Sequence, residues 1–500
     1  MPLSPAPMLP GTSPLPGPGQ RPPARSALRV AALAAIPVLL VLLVAGQLLL
    51  PRMLFLAPGF EARAGGGDGG TIQAGGGVYF QGFVYPWLRS QDGGGYNTPA
   101  SLQNMQSEAN VFHMNAVIIP VVADMPVRAS SSILWHSTDS GNIDTLPEQD
   151  YVDAITAARK AGLIPILELQ IRQYDRLSNG NTSPELVGNG WGQVASNIPV
   201  GVENPDGSVG APVAVGQLER GWFNNYTDFA VHYAQISQRY HLPYFIIGDD
   251  LSQLTYDTSQ TSRQADPHGV DNVPGENCPS SAGRRECEWL HVIHAITSPG
   301  YATLGSHTPQ VGAAYKGKLI YAAGWGSVDG STPPEFEQIQ WWSAVSYIGV
   351  DAGFPLTKDL AIAGVNTLTQ AWHGLGKETA GQGDIVSRLA AVSAKFGRQV
   401  IFTSAGYPSV LGSASAAPIT NAQRDDDMQM NAMQSLLVTF SSQSWWAGVF
   451  WYADYPIAPR ESQPHWDVST SWAGNSLASS KMAGQWLAGF YKPFPLPCSC

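Results

Sequence analysis

The sequence predicts an α/β fold: a single (β/α)8 barrel behind an N-terminal transmembrane helix. Three observations predict it. Eight short β-rich runs alternate with helical patterns, the signature of βα units and a parallel sheet. No glycine-rich phosphate loop of the GxGxxG or Walker type opens a helix, which argues against the alternative, an open doubly wound sheet. An uncharged stretch over residues 30–51 is long enough to cross a hydrocarbon core, which takes about 20 residues. The composition agrees, since 44% of the 500 residues are hydrophobic, only 13% are charged, and there are 53 Gly and 39 Pro. That suits a loop-rich globular chain of barrel size rather than a coiled coil.

Residues 1–29 form a Pro-rich tail without acidic residues, and Arg21, Arg25 and Arg29 stand just before the apolar stretch. Basic residues before a span and none within it predict a cytoplasmic N-terminus and an extracytoplasmic barrel. A cleaved signal peptide is the competing reading. Its cut site normally follows the apolar run closely, whereas the Ala62-Arg63-Ala64 triplet lies well past it. Residues 52–77 end in GGGDGGTIQAGGG and read as a flexible linker. The barrel then takes residues 78–500.

Its strands are expected at Val78–Tyr85, Ala116–Val122, Leu163–Leu169, Tyr244–Gly248, Lys318–Ala323, Val345–Val350, Gln399–Thr403 and Ala447–Trp451. Helical patterns run from about Ser101, over Gln149–Ala161, over Trp222–Tyr240 and from about Met428. The run Asp425-Asp426-Asp427 suits the positive end of the last of these helices, and the EF-hand spacing that calcium would need is absent. Residues 189–216 lack helical period and read as a long loop over the barrel mouth.

The net charge of −11 argues against nucleic acid as a partner, and the residue pattern calls for no cofactor and no metal. Outside the cytoplasm, Cys278 and Cys287, which bracket the loop CPSSAGRREC, are expected to form a local disulfide. Cys498 and Cys500 would make a strained mutual bridge, and free thiols, an intermolecular bridge or a metal tail stay open for them. His465 has no partner legible in the sequence.

Active residues in such a barrel stand at the C-terminal ends of the strands. Those ends carry Trp87, Asp124, Glu168 with Gln170 and Arg172, Asp249 with Asp250, Trp325, Asp351, Ser404 with Tyr407, and Trp451 with Tyr452 and Asp454. Carboxylates and aromatic rings on one rim are the composition of a sugar site. Glu168 alternates with apolar neighbours and is expected to point inward, paired with Arg172 or another cation. Asp249 and Asp250 read equally well as solvated loop residues or helix caps, and each aromatic residue taken singly reads as packing.

Several segments then resemble glycoside hydrolase family 113, the endo-β-1,4-mannanases of the large retaining-glycosidase barrel clan. These are WWSAVSYIGVDAGFPL (Trp341–Leu356), IFTSAGYPSVLGSASAAP (Ile401–Pro418) and WWAGVFWYADY (Trp445–Tyr455), with weaker likeness at Trp222–Ala234 and Tyr244–Leu251. The resemblance runs from about Phe80 to Tyr455. It implies that Asp250 stands where the family keeps its acid/base Glu, and that Ser404 stands where the family keeps its nucleophilic Glu. Gly353 replaces a strand-six Tyr, and Gln170 a strand-three His. Retention needs two carboxyls about 5–5.5 Å apart. Asp250 preserves the chemistry one methylene short, whereas a serine hydroxyl needs an adjacent base to act as a nucleophile.

The expectation is therefore a membrane-anchored, extracytoplasmic glycoside hydrolase-like protein acting on or binding a β-linked, mannan-like polysaccharide. Asp250 and Ser404 are its candidate catalytic positions. Trp87, Trp325, Asp351, Tyr407, Trp451, Tyr452 and Asp454 are its candidate substrate contacts. A barrel that binds carbohydrate without hydrolysis, and a structural or assembly role at the cell surface, stand as alternatives.

Overall fold

The computed structural model describes residues 79–85, 96, 98–125, 131–138, 145–176, 182–186, 200–203, 209–213, 215–256, 283–298, 314–326, 333–360, 364–376, 379–416, 424–452 and 482–491. The expected tail, membrane span and linker, together with Trp87, Cys278, Asp454, His465, Cys498 and Cys500, lie outside the described residues. No helix among the described residues is long and apolar enough to cross a membrane.

The strands are β1 (Phe80–Val84), β2 (Ala116–Met125), β3 (Ile164–Arg176), β4 (Thr182–Leu186), β5 (Val200–Glu203), β6 (Val209–Val213), β7 (Tyr244–Asp249), β8 (Lys318–Ala323), β9 (Tyr347–Asp351), β10 (Gln399–Ala405) and β11 (Trp446–Trp451). Strands β1, β2, β3, β7, β8, β9, β10 and β11 pair in parallel, and the β2–β3 pairing closes them into a ring of eight. All eight expected strands are present within a few residues of their predicted bounds. The third is longer, because its distal half pairs antiparallel with β4. Residues 189–216 are not the plain loop expected, since β5 and β6 form an antiparallel hairpin there.

The described helices are α1 (Pro99–Val111), α2 (Glu148–Lys160), α3 (Val215–Arg239), α4 (Ser252–Thr255), α5 (Arg284–Thr297), α6 (Glu335–Gln338), α7 (Val365–Trp372), α8 (Ile385–Phe396), α9 (Asp426–Phe440) and α10 (Met482–Phe490). Asp425 caps α9 by accepting a hydrogen bond from Met428 N, with Asp426 and Asp427 in the first turn, so the acidic run serves a helix terminus.

The strands read as near-continuous apolar runs because both of their faces are covered. Their side chains alternate between two cores. One core lies between sheet and helices and holds Leu167, Phe245, Ile247, Tyr321, Ile348 and Phe402. The other fills the barrel and holds Phe80, Ile118, Ile166, Ile246, Ile320, Tyr347, Ile401 and Phe450. Burying each such side chain contributes about 1.5–3 kcal/mol. Gly448, at φ +128°, lies so close to the Phe80 backbone that a Cβ there would collide with it, which lets β1 and β11 pair.

Candidate active site at the barrel mouth

Above the apolar filling, the next inward-facing positions are polar. On β3, Ile166 faces inward, so the two-residue period carries Glu168, Gln170 and Arg172 to the same face. On β9, Tyr347 faces inward and Asp351 follows by the same count. On β7 the simple count would turn Asp249 outward. A register shift between Ile246 and Asp249 against β8 corrects this: Gly248 faces the outer rings of Tyr226, Trp289 and Tyr321, and Asp249 turns to the mouth.

These side chains are hydrogen-bonded to one another. Gln170 Nε2 donates to Glu168 Oε2 at 3.0 Å and to Asp249 Oδ2 at 2.8 Å. Thr403 Oγ1 donates to Asp351 Oδ1 at 3.1 Å, and Asp351 shares a further hydrogen bond with Asp249. Burial raises all three carboxyls. Asp351 is raised further by the Asp249 charge, and the hydrogen bond between the two carboxyls requires that the pair share a proton. The described hydrogen bond to Glu168 thus comes from the neutral amide of Gln170, where Arg172 or another cation was expected. The charge of Arg172 acts instead on Tyr96 and Tyr452.

Asp250 sits just past β7 with φ +41°, in the left-handed region. Its N–H donates to Ala322 O at 3.0 Å, and its carboxyl lies against Gly324, where any Cβ would collide with it. Burial, and secondarily the Asp249 charge, push the Asp250 carboxyl up to about 6. Such a group is protonated in mildly acidic solution, as a general acid must be. Ser404 lies in register with Asp351, and Ala352 N donates to its carbonyl. Among the described residues its hydroxyl has no basic hydrogen-bond partner. Asp250 acts electrostatically on Asp351, so Asp250, Asp351 and Ser404 belong to one mouth.

The expected aromatic contacts divide. Tyr452 is 39% exposed, and the charges of Arg172, Asp249, Glu168 and Asp351 reach it. Trp325 is half-buried against Phe354, and its Nε1 would lie 3.1 Å from a Cβ at Gly353. The indole therefore stands beside the position where the family resemblance puts a Tyr. Tyr407 and Trp451 are core residues instead, only 2% and 1% exposed. The Tyr407 hydroxyl donates to Phe354 O and the Trp451 Nε1 to Tyr491 OH, so neither ring offers a free face to a sugar.

One carboxyl was not legible as part of the site. Glu335, 1% exposed, accepts hydrogen bonds from Thr255 Oγ1, Tyr321 OH and Gly324 N close to Asp250. In the sequence it is only an acid opening a helical turn, a common surface pattern. Among the described residues no group of three or more His, Cys, Asp and Glu side chains is arranged to hold a metal ion. Cys287 is disulfide-bonded.

Acidic side chains, with Tyr452 and Trp325 beside them, thus stand at the C-terminal rim of a closed (β/α)8 barrel, the end at which such barrels carry their active sites. Residues 284–465 match the model of Glycoside Hydrolase Family 113, so the resemblance read from the sequence holds there, over a shorter span than expected. Asp351 and Ser404 fall inside the matched segment and Asp250 outside it. In three dimensions the chain is similar to a GH113 β-1,4-mannanase solved as a complex, with 16% identity, a TM-score of 0.51, and coverage of 83% of this chain and 99% of that one. It is also similar to the GH113 β-mannanase AaManA from Alicyclobacillus acidocaldarius in complex with ManMIm, with 15% identity, a TM-score of 0.51, and coverage of 83% and 97%. At such identities the likeness is one of fold. No curated protein matches the chain significantly in sequence.

Proposed function

We propose that this chain is a membrane-anchored, extracytoplasmic barrel that binds a β-linked, mannan-like polysaccharide at its mouth without hydrolysing it by the retaining route. The observation that carries this reading is position 404. The site keeps a protonatable acid at Asp250, but the second position offers a serine hydroxyl with no base beside it among the described residues. A hydroxyl cannot stabilise an oxocarbenium ion by charge as a carboxylate does. The sugar class is drawn from the mannanases that the fold is similar to. The anchor is drawn from the uncharged stretch 30–51.

A second reading is favoured by Asp250 itself, whose carboxyl at about 6 fits a general acid. In an inverting scheme Asp250 would protonate the leaving oxygen, and the ionised member of the Asp249–Asp351 pair would activate water. Calorimetric titration of the solubilised full chain with β-1,4-manno-oligosaccharides, run beside a reducing-end assay, separates the two. Saturable binding without release of reducing ends is expected. Release abolished by Asp250→Asn would transfer the protein to the second reading. Absence of binding to any β-linked glycan would end both.

A further inference from the structure

We propose that Glu335 is a positioning residue for Asp250, its buried carboxyl tying the end of β8 to the segment after β7 so that Asp250 is held in the barrel mouth. The inference rests on the role given to Asp250 above. Glu335 Oε1 accepts from Thr255 Oγ1 at 2.6 Å and from Tyr321 OH at 2.7 Å, while Oε2 accepts from Gly324 N at 2.7 Å. Glu335 N donates back to Gly324 O at 3.0 Å. Each partner bears on Asp250. Gly324 is the surface against which its carboxyl rests. Tyr321 OH accepts the N–H of the next residue, Leu251, at 2.9 Å. Thr255 closes the short helix α4 that follows, and its carbonyl accepts from Trp341 Nε1.

The left-handed backbone at Asp250 is costly for a residue with a side chain, and such conformations persist only where the surroundings over-determine them. The hydrogen bonds centred on Glu335 supply that determination from the far side of Gly324. Glu335 is itself pushed up to about 8, by burial first and then by the Asp250 charge, whereas Asp250 titrates at about 6. Glu335 is therefore already neutral when Asp250 changes charge, and one of the two hydroxyls at Oε1 then accepts its proton. It acts as a hydrogen-bonding hub that an amide replaces in part: the amide oxygen keeps the Gly324 N–H and the amide nitrogen donates to the Thr255 hydroxyl, which can turn to Ser252 O, while the Tyr321 hydroxyl loses its acceptor.

The test is a carboxyl-carbon NMR titration of the full chain, with the Asp250 signal assigned by its loss in Asp250→Asn, alongside binding of β-1,4-mannohexaose. Wild type and Glu335→Gln should both show the Asp250 midpoint near about 6. Glu335→Ala should let it fall toward the ordinary aspartate value of ~4 as water reaches the carboxyl, and should weaken binding at least ~10-fold. An unchanged Asp250 midpoint in Glu335→Ala, or a Glu335→Gln that behaves like Glu335→Ala, would overturn the proposal. Should Glu335→Ala not fold, Glu335→Asp decides. It keeps the carboxyl but draws it back one methylene from Gly324 N, Thr255 and Tyr321, so a fall of the Asp250 midpoint upholds the proposal and an unmoved midpoint refutes it. If wild type binds no glycan, the proposed function fails, while the Asp250 midpoint still decides the role of Glu335.

Discussion

Adding one methyl group at Gly324 should displace Asp250 and leave the barrel closed. A Cβ at this position would lie 3.0 Å from Asp250 Cγ and closer still to Oδ1, where ordinary contact begins near 3.4 Å. The backbone of Gly324 is not in the left-handed region, so alanine carries no conformational penalty there. The backbone around Asp250 cannot retreat easily, because its own N–H and that of Leu251 are both bonded to β8 residues. The carboxyl must instead withdraw by ~1 Å, the scale at which misplacement costs roughly 100-fold. Any property that depends on Asp250 should therefore fall by about that factor in Gly324→Ala, equivalent to about 2.7 kcal/mol. Overpacking should cost about 1–3 kcal/mol of stability, which leaves the fold populated. Titration with β-1,4-mannohexaose and the reducing-end assay would be run on wild type, Gly324→Ala and Asp250→Asn, with circular dichroism to confirm folding. If Asp250→Asn is defective while Gly324→Ala stays within about twofold of wild type, Asp250 does not act from the place assigned to it.

Ser404→Glu should introduce mannan hydrolysis with retention of anomeric configuration, read by NMR of the first-formed product. A folded, glycan-binding variant that remains inert would show that position 404 and Asp250 do not converge on one bond. Stability should fall as pH rises. Glu335 goes from 4.5 to about 8 on folding, so the folded state holds its proton more tightly, and the contribution is complete below about 4.5 and lost as pH passes through about 8. Glu168, Asp249 and Asp351 are raised as well and act in the same direction. Melting temperature should therefore drop across that interval and Glu335→Gln should flatten the drop; a flat or rising wild-type profile refutes the assignment. Non-reducing peptide mapping should join Cys287 to Cys278, and reduction should cost about 2–4 kcal/mol. A bridge from Cys287 to Cys498 or Cys500 would exclude the local loop. Finally, the full chain should stay with membranes through an alkaline wash, and a chain lacking residues 1–51 should not; equal partitioning of the two would remove the anchor.

Much of the barrel was legible in the sequence, because its strands are buried on both faces and so stand out as short apolar runs such as AVIIPVV and KLIYAA between helical periods. The candidate positions Asp250, Asp351 and Ser404 were legible for the same reason, since each follows directly on such a run and strand ends define the rim. The hairpin β5–β6 was missed because its residues are Gly- and Val-rich without a clear two-residue period. Tyr407 and Trp451 were misread as rim platforms, because whether a ring next to a strand end faces solvent or the core depends on what packs over it. Here both rings are buried in the core, with their polar ends bonded to Phe354 O and Tyr491 OH.

The order of elements, the eight strands and a serine at position 404 on the end of the seventh of them follow from the amino-acid sequence alone, since each is a local pattern of residue types along the chain. The partners of those residues do not. The register shift that turns Asp249 inward, the sharing of a proton between Asp249 and Asp351, and the convergence of Thr255, Tyr321 and Gly324 on Glu335 join residues up to about a hundred positions apart. Burial and electrostatic coupling depend on distances in space, so only the tertiary structure decides which acids keep their protons and which backbone holds Asp250 in place.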